Sequence, residues 1–327
     1  MKILVMGNEE RLLANSKPGR PDAHDLVYID QHADPADIIR AGKDAEILLI
    51  DAMGRFTDEE MAGMPGLKMI HSEGVGFQGI DLEAAKKRGI YVCNCKGANA
   101  SAVAEQALML MIACLRNAVN CHEAVLDGRQ IEVKENYMKT GAIRELADCT
   151  VGFIGFGDIA RCAAALVKAF GAKAVYYDLY RAPEELEAGA VMKSMDEVLA
   201  ESDIVSIHLP VTKATENIAD AAFFSKMKKG AVFINTARGE LVDTPALLAA
   251  LSDGTLSMAG IDCIAGEPVK KDNPMINAPE EVLRKMIFSP HIAGITGSSF
   301  ARSYEMFWAN TDRIAAGEKP SCVVNGL

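Results

Sequence analysis

The stretch Val151–Ala160, VGFIGFGDIA, decides the fold. It places Gly155, Gly157 and Ala160 in the G-x-G-x-x-G/A register. The glycine pattern alone is weak, but its context is strong. An apolar run precedes it, a helical pattern follows, and a second apolar run, AVYYD, ends at Asp178. Gly155 would allow the tight turn, and Gly157 the close approach of a pyrophosphate to the N-terminus of a helix opened by Asp158 and Ile159. The Asp178 carboxylate would accept hydrogen bonds from the adenosine ribose hydroxyls and repel a 2′-phosphate. The expected cofactor is therefore NAD rather than NADP, and Arg181, three residues on, is the one feature that could soften that choice.

Outward from this motif, six apolar runs follow Cys149: TVGFIG, AVYYD, IVSIH, AVFIN, MAGID and KMIF, separated by helical patterns such as ALLAALSDG. Six strands with crossovers is the count of a complete dinucleotide-binding domain. The first ninety residues hold a separate series, KILVM, EILLI (46–50), LKMI (67–70) and IYVC (90–93). Between those runs lie TDEEMAGM and DLEAAKKRG, with Thr57 and Asp81 placed as N-caps and Gly89 as a C-terminal stop. Such alternation argues for α/β units with parallel sheets. A long, mostly apolar helix is expected from about Ser101 to Arg116, followed by a polar arm, 117–148, of weak periodicity. The tail, 297–327, begins helical and ends irregularly, and no solenoid-length repeat is visible.

A chain of 327 residues is long for one core, so two domains are expected. The formal charge of −11 and the lack of a dense Lys/Arg block argue against nucleic acid or an anionic membrane as partner. The apolar run at Ile3–Met6 is too short for a signal-peptide core, and no apolar stretch is long enough to span a bilayer. Eight cysteines lack metal-ligand spacing and read as reduced thiols of a cytoplasmic protein, with no metal expected.

A doubly wound sheet binds its ligand beyond the carboxyl ends of its strands. Four polar residues fall there: His208 after IVSI, Arg238 after AVFINTA, Glu267 after MAGIDC, and His291 in SPHIAG (289–294). A lone histidine at a strand end is more often structural than chemical; four such residues at one edge, beside a cofactor, change that balance. Reduction of a 2-oxo acid needs a clamp for the carboxylate, polarisation of the carbonyl, and a proton donor. Arg238 suits the first two, being permanently charged and able to bond two oxygens. His291 suits the third, and Glu267 would stabilise and orient its imidazolium. His208, preceding Pro210 by two residues, reads as structural or cofactor-lining.

Over nearly its whole length the chain resembles the D-2-hydroxyacid dehydrogenases, the D-isomer-specific NAD-dependent family. The matching segments are GVGFQGIDLEAAKKRGIYV, GANASAVAEQAL, GFIGFGDIA, INTARGELVDTPALLAAL, AGIDCIAGEP and SPHIAG. The resemblance implies Arg238, Glu267 and His291 as the catalytic trio, and the main chain of Gly74, Val75 and Gly76 as the holder of the substrate carboxylate. It implies Asp262 near the nicotinamide carboxamide, with His208, Pro210, Thr236 and Ala237 also on the cofactor. The implied fold is a Rossmann-type NAD domain, 100–295, and a flavodoxin-like substrate domain built from 1–99 and 296–327. The arm at 117–148 would be a dimerisation segment of a homodimer. The implied reaction interconverts a 2-oxo acid and a D-2-hydroxy acid by hydride exchange with NAD.

Departures from the family refine this. The usual YDNID is FQGID here, Phe77 to Asp81. Members that handle phosphorylated three-carbon acids carry arginines where Asp51 and Ser72 stand. Asp51 and Glu73 would instead repel a phosphate, which disfavours 3-phosphoglycerate and points to an unphosphorylated acid. Met53 and Phe77 hint at an apolar pocket, although such residues are more often core. The alternatives are a 3-phosphoglycerate dehydrogenase and a non-enzymatic NADH-sensing corepressor, which can share this fold and trio.

Overall fold

The computed structural model describes residues 1–327 as two compact units, Met1–Asn99 with Ile295–Leu327, and Ala100–Gly294.

The first unit is a five-stranded parallel sheet of β1 (Lys2–Met6), β2 (Asp25–Tyr28), β3 (Ile47–Ile50), β4 (Met69–Ser72) and β5 (Tyr91–Cys93), in the order β2-β1-β3-β4-β5. Side chains alternate between two covered faces, as the pleat dictates. Leu4, Met6, Leu48, Ile50, Ile70 and Val92 share one core, while Ile3, Val5, Ile47, Leu49 and Met69 share another with Tyr304, Phe307 and Trp308. Those aromatics lie on the helix Gly297–Ala315, which explains why both chain ends build this unit. The helix starts read from the sequence are present: Asp81 Oδ1 accepts from Ala84 N at 2.9 Å, and Glu60 Oε2 accepts from Thr57 N at 2.9 Å. The strand β2 was not among the runs read from the sequence, although LVYI (26–29) is apolar; it is an edge strand and only partly buried.

The second unit is a seven-stranded parallel sheet: β6 (Thr150–Ile154), β7 (Lys173–Tyr177), β8 (Val191–Met192), β9 (Ile204–Ile207), β10 (Ala231–Asn235), β11 (Leu256–Ile261) and β12 (Met286–Phe288). Their order is β12-β11-β10-β9-β6-β7-β8, the doubly wound arrangement of a dinucleotide-binding sheet with one strand added. The six-strand reading therefore needs one correction. The third strand of the first half is β8, two residues long and too short to read, and KMIF is a seventh strand at the opposite edge.

The apolar helix spans Ala100–Leu115, and its Ala104, Ala107, Leu110, Met111 and Cys114 sit in the core shared with helix Asp158–Ala169. The segment read as a weakly periodic arm contains two helices, Ala118–Leu126 and Gln130–Thr140. The second buries none of its residues within the chain, so it has no apolar stripe to betray it. No single helix is long and apolar enough to cross a membrane.

Candidate active site

The turn from β6 into helix Asp158–Ala169 forms as its glycines require. Gly155 has φ +88°, and a Cβ there would lie 2.7 Å from the His208 carbonyl oxygen, so only glycine fits. A Cβ on Gly157 would instead project into open space, at the first turn of a twelve-residue helix, while Ala160 is fully buried against the core. The turn is clamped to the neighbouring strand: Gly155 N donates to Tyr177 O at 2.8 Å and Phe156 N to Asp178 Oδ2 at 2.7 Å. Asp178 thus stands at the end of β7 facing the turn, with its other oxygen 3.4 Å from Tyr180 N. Arg181, left undecided by the sequence, is held by Glu187, with Nε 2.9 Å from Oε1. That same carboxylate accepts from Tyr176 Oη at 2.9 Å. Arg161 was not singled out by the sequence reading, yet it stands one turn into the helix, and its Nε donates to Phe156 O at 3.1 Å.

His208 follows β9 and packs its carbonyl behind Gly155. Its Nε2 lies 2.8 Å from Ser206 Oγ, and burial holds its pKa down at about 4, so the ring is neutral. Pro210 is exposed, its carbonyl accepting from Thr215 Oγ1 at 2.6 Å. Thr236, directly after β10, is buried with Oγ1 unpartnered, the kind of atom that a bound polar group would satisfy. This orphan hydroxyl, the open space at Gly157 and the carboxylate at Asp178 together fit a bound dinucleotide.

Past Thr236 the chain is fixed by Asn235, whose Oδ1 accepts from Ala237 N at 3.0 Å and whose Nδ2 donates to Arg238 O at 2.8 Å. Arg238 is half-buried; its recorded hydrogen bond runs from Nη1 to Ala237 O at 2.6 Å, and no carboxylate pairs with it. The next residue, Gly239, packs so closely on the 264–265 main chain that a Cβ would overlap Ala265 N. This glycine seats the Arg238 turn on the loop that carries Glu267.

Glu267 and His291 meet directly, Oε2 to Nδ1 at 2.5 Å, with the second carboxylate oxygen accepting from Ile264 N at 3.0 Å. Their side chains are 27% and 37% exposed, so the pair is accessible. His291 has φ +54°, a left-handed conformation that its loop enforces. Its N–H donates to Asp262 O at 2.9 Å, and the buried Asp262 carboxylate accepts from Ile292 N at 3.1 Å, Ala293 N at 3.0 Å and Ser289 Oγ. Ser289 Oγ in turn accepts from Gln106 Nε2 at 3.0 Å. Asp262, assigned to the cofactor by resemblance, therefore has three protein donors on its carboxylate and acts as the scaffold of the His291 loop. Gln106 and Ser289 are scaffold residues to which the sequence reading gave no role.

In the first unit, Gly74, Val75 and Gly76 follow β4. All three carbonyls turn into the protein: Gly74 O accepts from Cys95 N at 2.8 Å, Val75 O from Asn94 Nδ2 at 2.8 Å, and Gly76 O from Ser72 Oγ at 2.6 Å. Gly74 N donates to Ser72 Oγ at 3.2 Å, while the Val75 and Gly76 N–H groups have no acceptor in the protein. Two free N–H groups in succession suit an anion. Ala52 abuts the loop, a Cβ on Gly76 lying 3.1 Å from its carbonyl oxygen.

Here the electrostatic expectation needs correction. Glu73 is buried and ion-paired with Arg11, which also lies 3.1 Å from Asp51 Oδ2, and Tyr304 Oη donates to Glu73 Oε1 at 3.0 Å. Burial pushes the Glu73 carboxyl up and Arg11 opposes that shift. Two acids share one arginine, so this trio carries −1, not the −2 that Asp51 and Glu73 alone suggested. Met53 is 78% exposed rather than core, while Phe77 packs against the apolar core of its unit.

Comparison with known proteins accords with this architecture. The family model for the NAD-binding domain of D-isomer specific 2-hydroxyacid dehydrogenases matches residues 108–293. A glyoxylate reductase from Thermofilum pendens is 35% identical over 291 residues, covering 88% of this chain and 84% of the relative. A D-3-phosphoglycerate dehydrogenase from Mycobacterium leprae is 32% identical over 304 residues, 93% of this chain but 55% of that longer protein. The structure of D-2-hydroxyisocaproate dehydrogenase superposes with a TM-score of 0.86 at 27% identity, over 100% of both chains. The chain belongs to the D-isomer specific 2-hydroxyacid dehydrogenases, NAD-dependent oxidoreductases that interconvert 2-oxo and 2-hydroxy acids.

Proposed function

We propose that the protein reduces an unphosphorylated 2-oxo monocarboxylic acid, such as glyoxylate, to the 2-hydroxy acid, and for chiral products to the D isomer. The observation that carries this reading is the Glu267–His291 hydrogen bond beside Arg238, a guanidinium without a carboxylate partner. Arg238 holds the substrate carboxylate and polarises the carbonyl. His291 donates the proton to the carbonyl oxygen, and Glu267 orients the imidazole and stabilises its charged form. In oxidation, neutral His291 takes the proton back. Bound NADH supplies the hydride. Gly155, Gly157, Asp158, Ile159, Asp178, His208, Pro210, Thr236 and Ala237 hold the cofactor, with His208 acting by backing the glycine turn and Asp262 by scaffolding the His291 loop. Arg161, one turn into the helix that the glycine turn opens, adds a cation on that side of the turn. The engagement of Arg181 by Glu187 supports NAD over NADP.

The two successive free N–H groups of Val75 and Gly76 support a substrate-binding role for the unit formed by both chain ends. The net negative charge of Arg11, Asp51 and Glu73 supports an uncharged substrate tail. The 3-phosphoglycerate reading is favoured by the Mycobacterium leprae relative, but Arg11, the cation it would need, is already engaged by two acids. Helices Ala118–Leu126 and Gln130–Thr140 expose Val125, Leu126, Ile131 and Met138, and an eleven-residue helix with no buried residue gains little from its own chain. These features support a homodimer formed through them, and eight unpaired cysteines support a cytoplasmic setting.

Steady-state oxidation of NADH by glyoxylate tests this function, with Arg238→Ala as the control. The variant should lose roughly 100-fold or more in kcat/KM for the acid while binding NADH normally. An unaltered kcat/KM would remove Arg238 from the mechanism.

A further inference from the structure

Beside the Glu267–His291 pair lies a third group that the proposed reaction does not use. Cys263 directly follows the scaffold residue Asp262, and its Sγ donates to Ala237 O at 3.3 Å. The ligand atoms of Cys263, Glu267 and His291 all lie within 4.8 Å of one another. We propose that these three residues form a binding site for a thiophilic divalent cation such as zinc, and that its occupation switches the dehydrogenase off. The inhibitory part rests on the reading of His291 as proton donor; the binding part does not.

The donor set is one sulfur, one nitrogen and one oxygen, which selects zinc-like ions over calcium or magnesium. Three protein ligands leave a fourth position for water. Bond lengths of roughly 2.0–2.3 Å place tetrahedral ligands about 3.5 Å apart. Glu267 and His291 lie closer than that, at 2.5 Å, and all three ligand atoms lie within 4.8 Å of one another. Side-chain rotations of about 1 Å would close the site around an ion.

The main chain is already fixed for this. β11 and β12 are paired neighbours, and the His291 loop is hydrogen-bonded to Asp262, the residue preceding Cys263. Charge also favours a cation: Asp262 and Glu267 are negative, and Arg238 is the positive group beside the thiol. The exposed faces of Glu267 and His291 give the ion its entry.

As a free thiol Cys263 is unreactive, because burial and the adjacent acids push its pKa well up. A bound cation deprotonates a coordinating thiol outright. The thiol proton, and the imidazolium proton if present, leave to solvent, and no electrons move. With one ring nitrogen on the metal the imidazole can no longer become an imidazolium, the N–H left on its other nitrogen is a far weaker acid, and Glu267 no longer orients the ring.

The test uses the whole protein with added Zn²⁺ or Co²⁺. Zn²⁺ at micromolar levels should inhibit NADH-dependent glyoxylate reduction, with recovery on adding EDTA. Cys263→Val should turn over normally without metal, and its inhibition should require roughly tenfold more Zn²⁺. Cys263→Ser, closer in size and polarity, is the second variant should valine disturb the core. Independently of activity, Co²⁺ should give the ultraviolet thiolate charge-transfer band in the native protein and not in either variant. Equal inhibition of native protein and variants, or no cobalt–thiolate band, would overturn the site. A protein that turns over no 2-oxo acid yet shows the band keeps the site and refutes its inhibitory consequence together with the proposed reaction.

Discussion

Two glutamates at strand ends, Glu73 and Glu267, have been given opposite surroundings. Glu73 is buried, and its partners are a guanidinium and a phenol, Arg11 and Tyr304. Glu267 is part-exposed, and its partner is an imidazole, His291. The first carboxylate is buried against a permanent cation, and that ion pair serves structure. The second is hydrogen-bonded to an imidazole, which gives and takes a proton in the proposed reaction. A carboxylate's role follows here from its partner, a property invisible when either glutamate is read alone.

Removing the partner on each side should break the comparison in different ways. His291→Asn should lower 2-oxo acid turnover by about 1,000-fold, the scale of a lost general acid, with NADH affinity unchanged in a fluorescence titration. Unchanged turnover would remove His291 from the chemistry. Arg11→Met should instead lower stability by about 3 kcal/mol in urea denaturation, because Glu73 is left buried without its counter-ion. The double variant Arg11→Met with Glu73→Met should regain most of that loss. Equal destabilisation of the single and double variants would show that Arg11 acts by packing alone.

A smaller effect is expected at the glycine turn. Gly155→Ala forces a side chain into the left-handed region and against the His208 carbonyl, for a loss of about 2 kcal/mol. NADH affinity should fall with it. Normal affinity in a thermally stable variant would contradict the geometry of the turn.

The smallest effect concerns the buried imidazoles. Burial lowers the pKa of His71 and of His208 to about 4. His71 is fixed as a neutral ring by Ser72 O at 2.8 Å from Nδ1 and Asn310 Nδ2 at 3.2 Å from Nε2. Both rings must take up a proton on unfolding below their ordinary pKa of 6.5. Their stabilising contribution is therefore present above about pH 6.5 and is lost as pH falls towards 4, by on the order of 1 kcal/mol each at pH 5.5. His71→Gln should flatten that slope in urea denaturation measured between pH 7 and 5.5, and an unchanged slope would contradict it.

The same contrast explains what could be read from the sequence. Arg238 and His291 stand just beyond apolar runs and Glu267 in the loop after one, so strand periodicity brought them to one sheet edge. The glycines declared themselves because Gly155 and Gly157 are required by backbone geometry. Arg11 was missed because nothing local links a residue in the first helix to Glu73 sixty-two positions later. Gln106, 183 positions before Ser289, was missed for the same reason. β8 escaped because two residues make no pattern, while β2, a part-buried edge strand, was passed over although LVYI (26–29) is apolar. The charge argument about Asp51 and Glu73 identified the right residues, but its magnitude depended on a long-range partner.

The most direct test of the account is NADH consumption across a panel of glyoxylate, pyruvate, hydroxypyruvate, 2-oxoisocaproate, phenylpyruvate and 3-phosphohydroxypyruvate. The account predicts turnover with at least one unphosphorylated acid at a higher kcat/KM than with the phosphorylated one. Preference for 3-phosphohydroxypyruvate would contradict the substrate assignment. Tight NADH binding with no turnover on any acid would contradict catalysis and leave a nucleotide sensor.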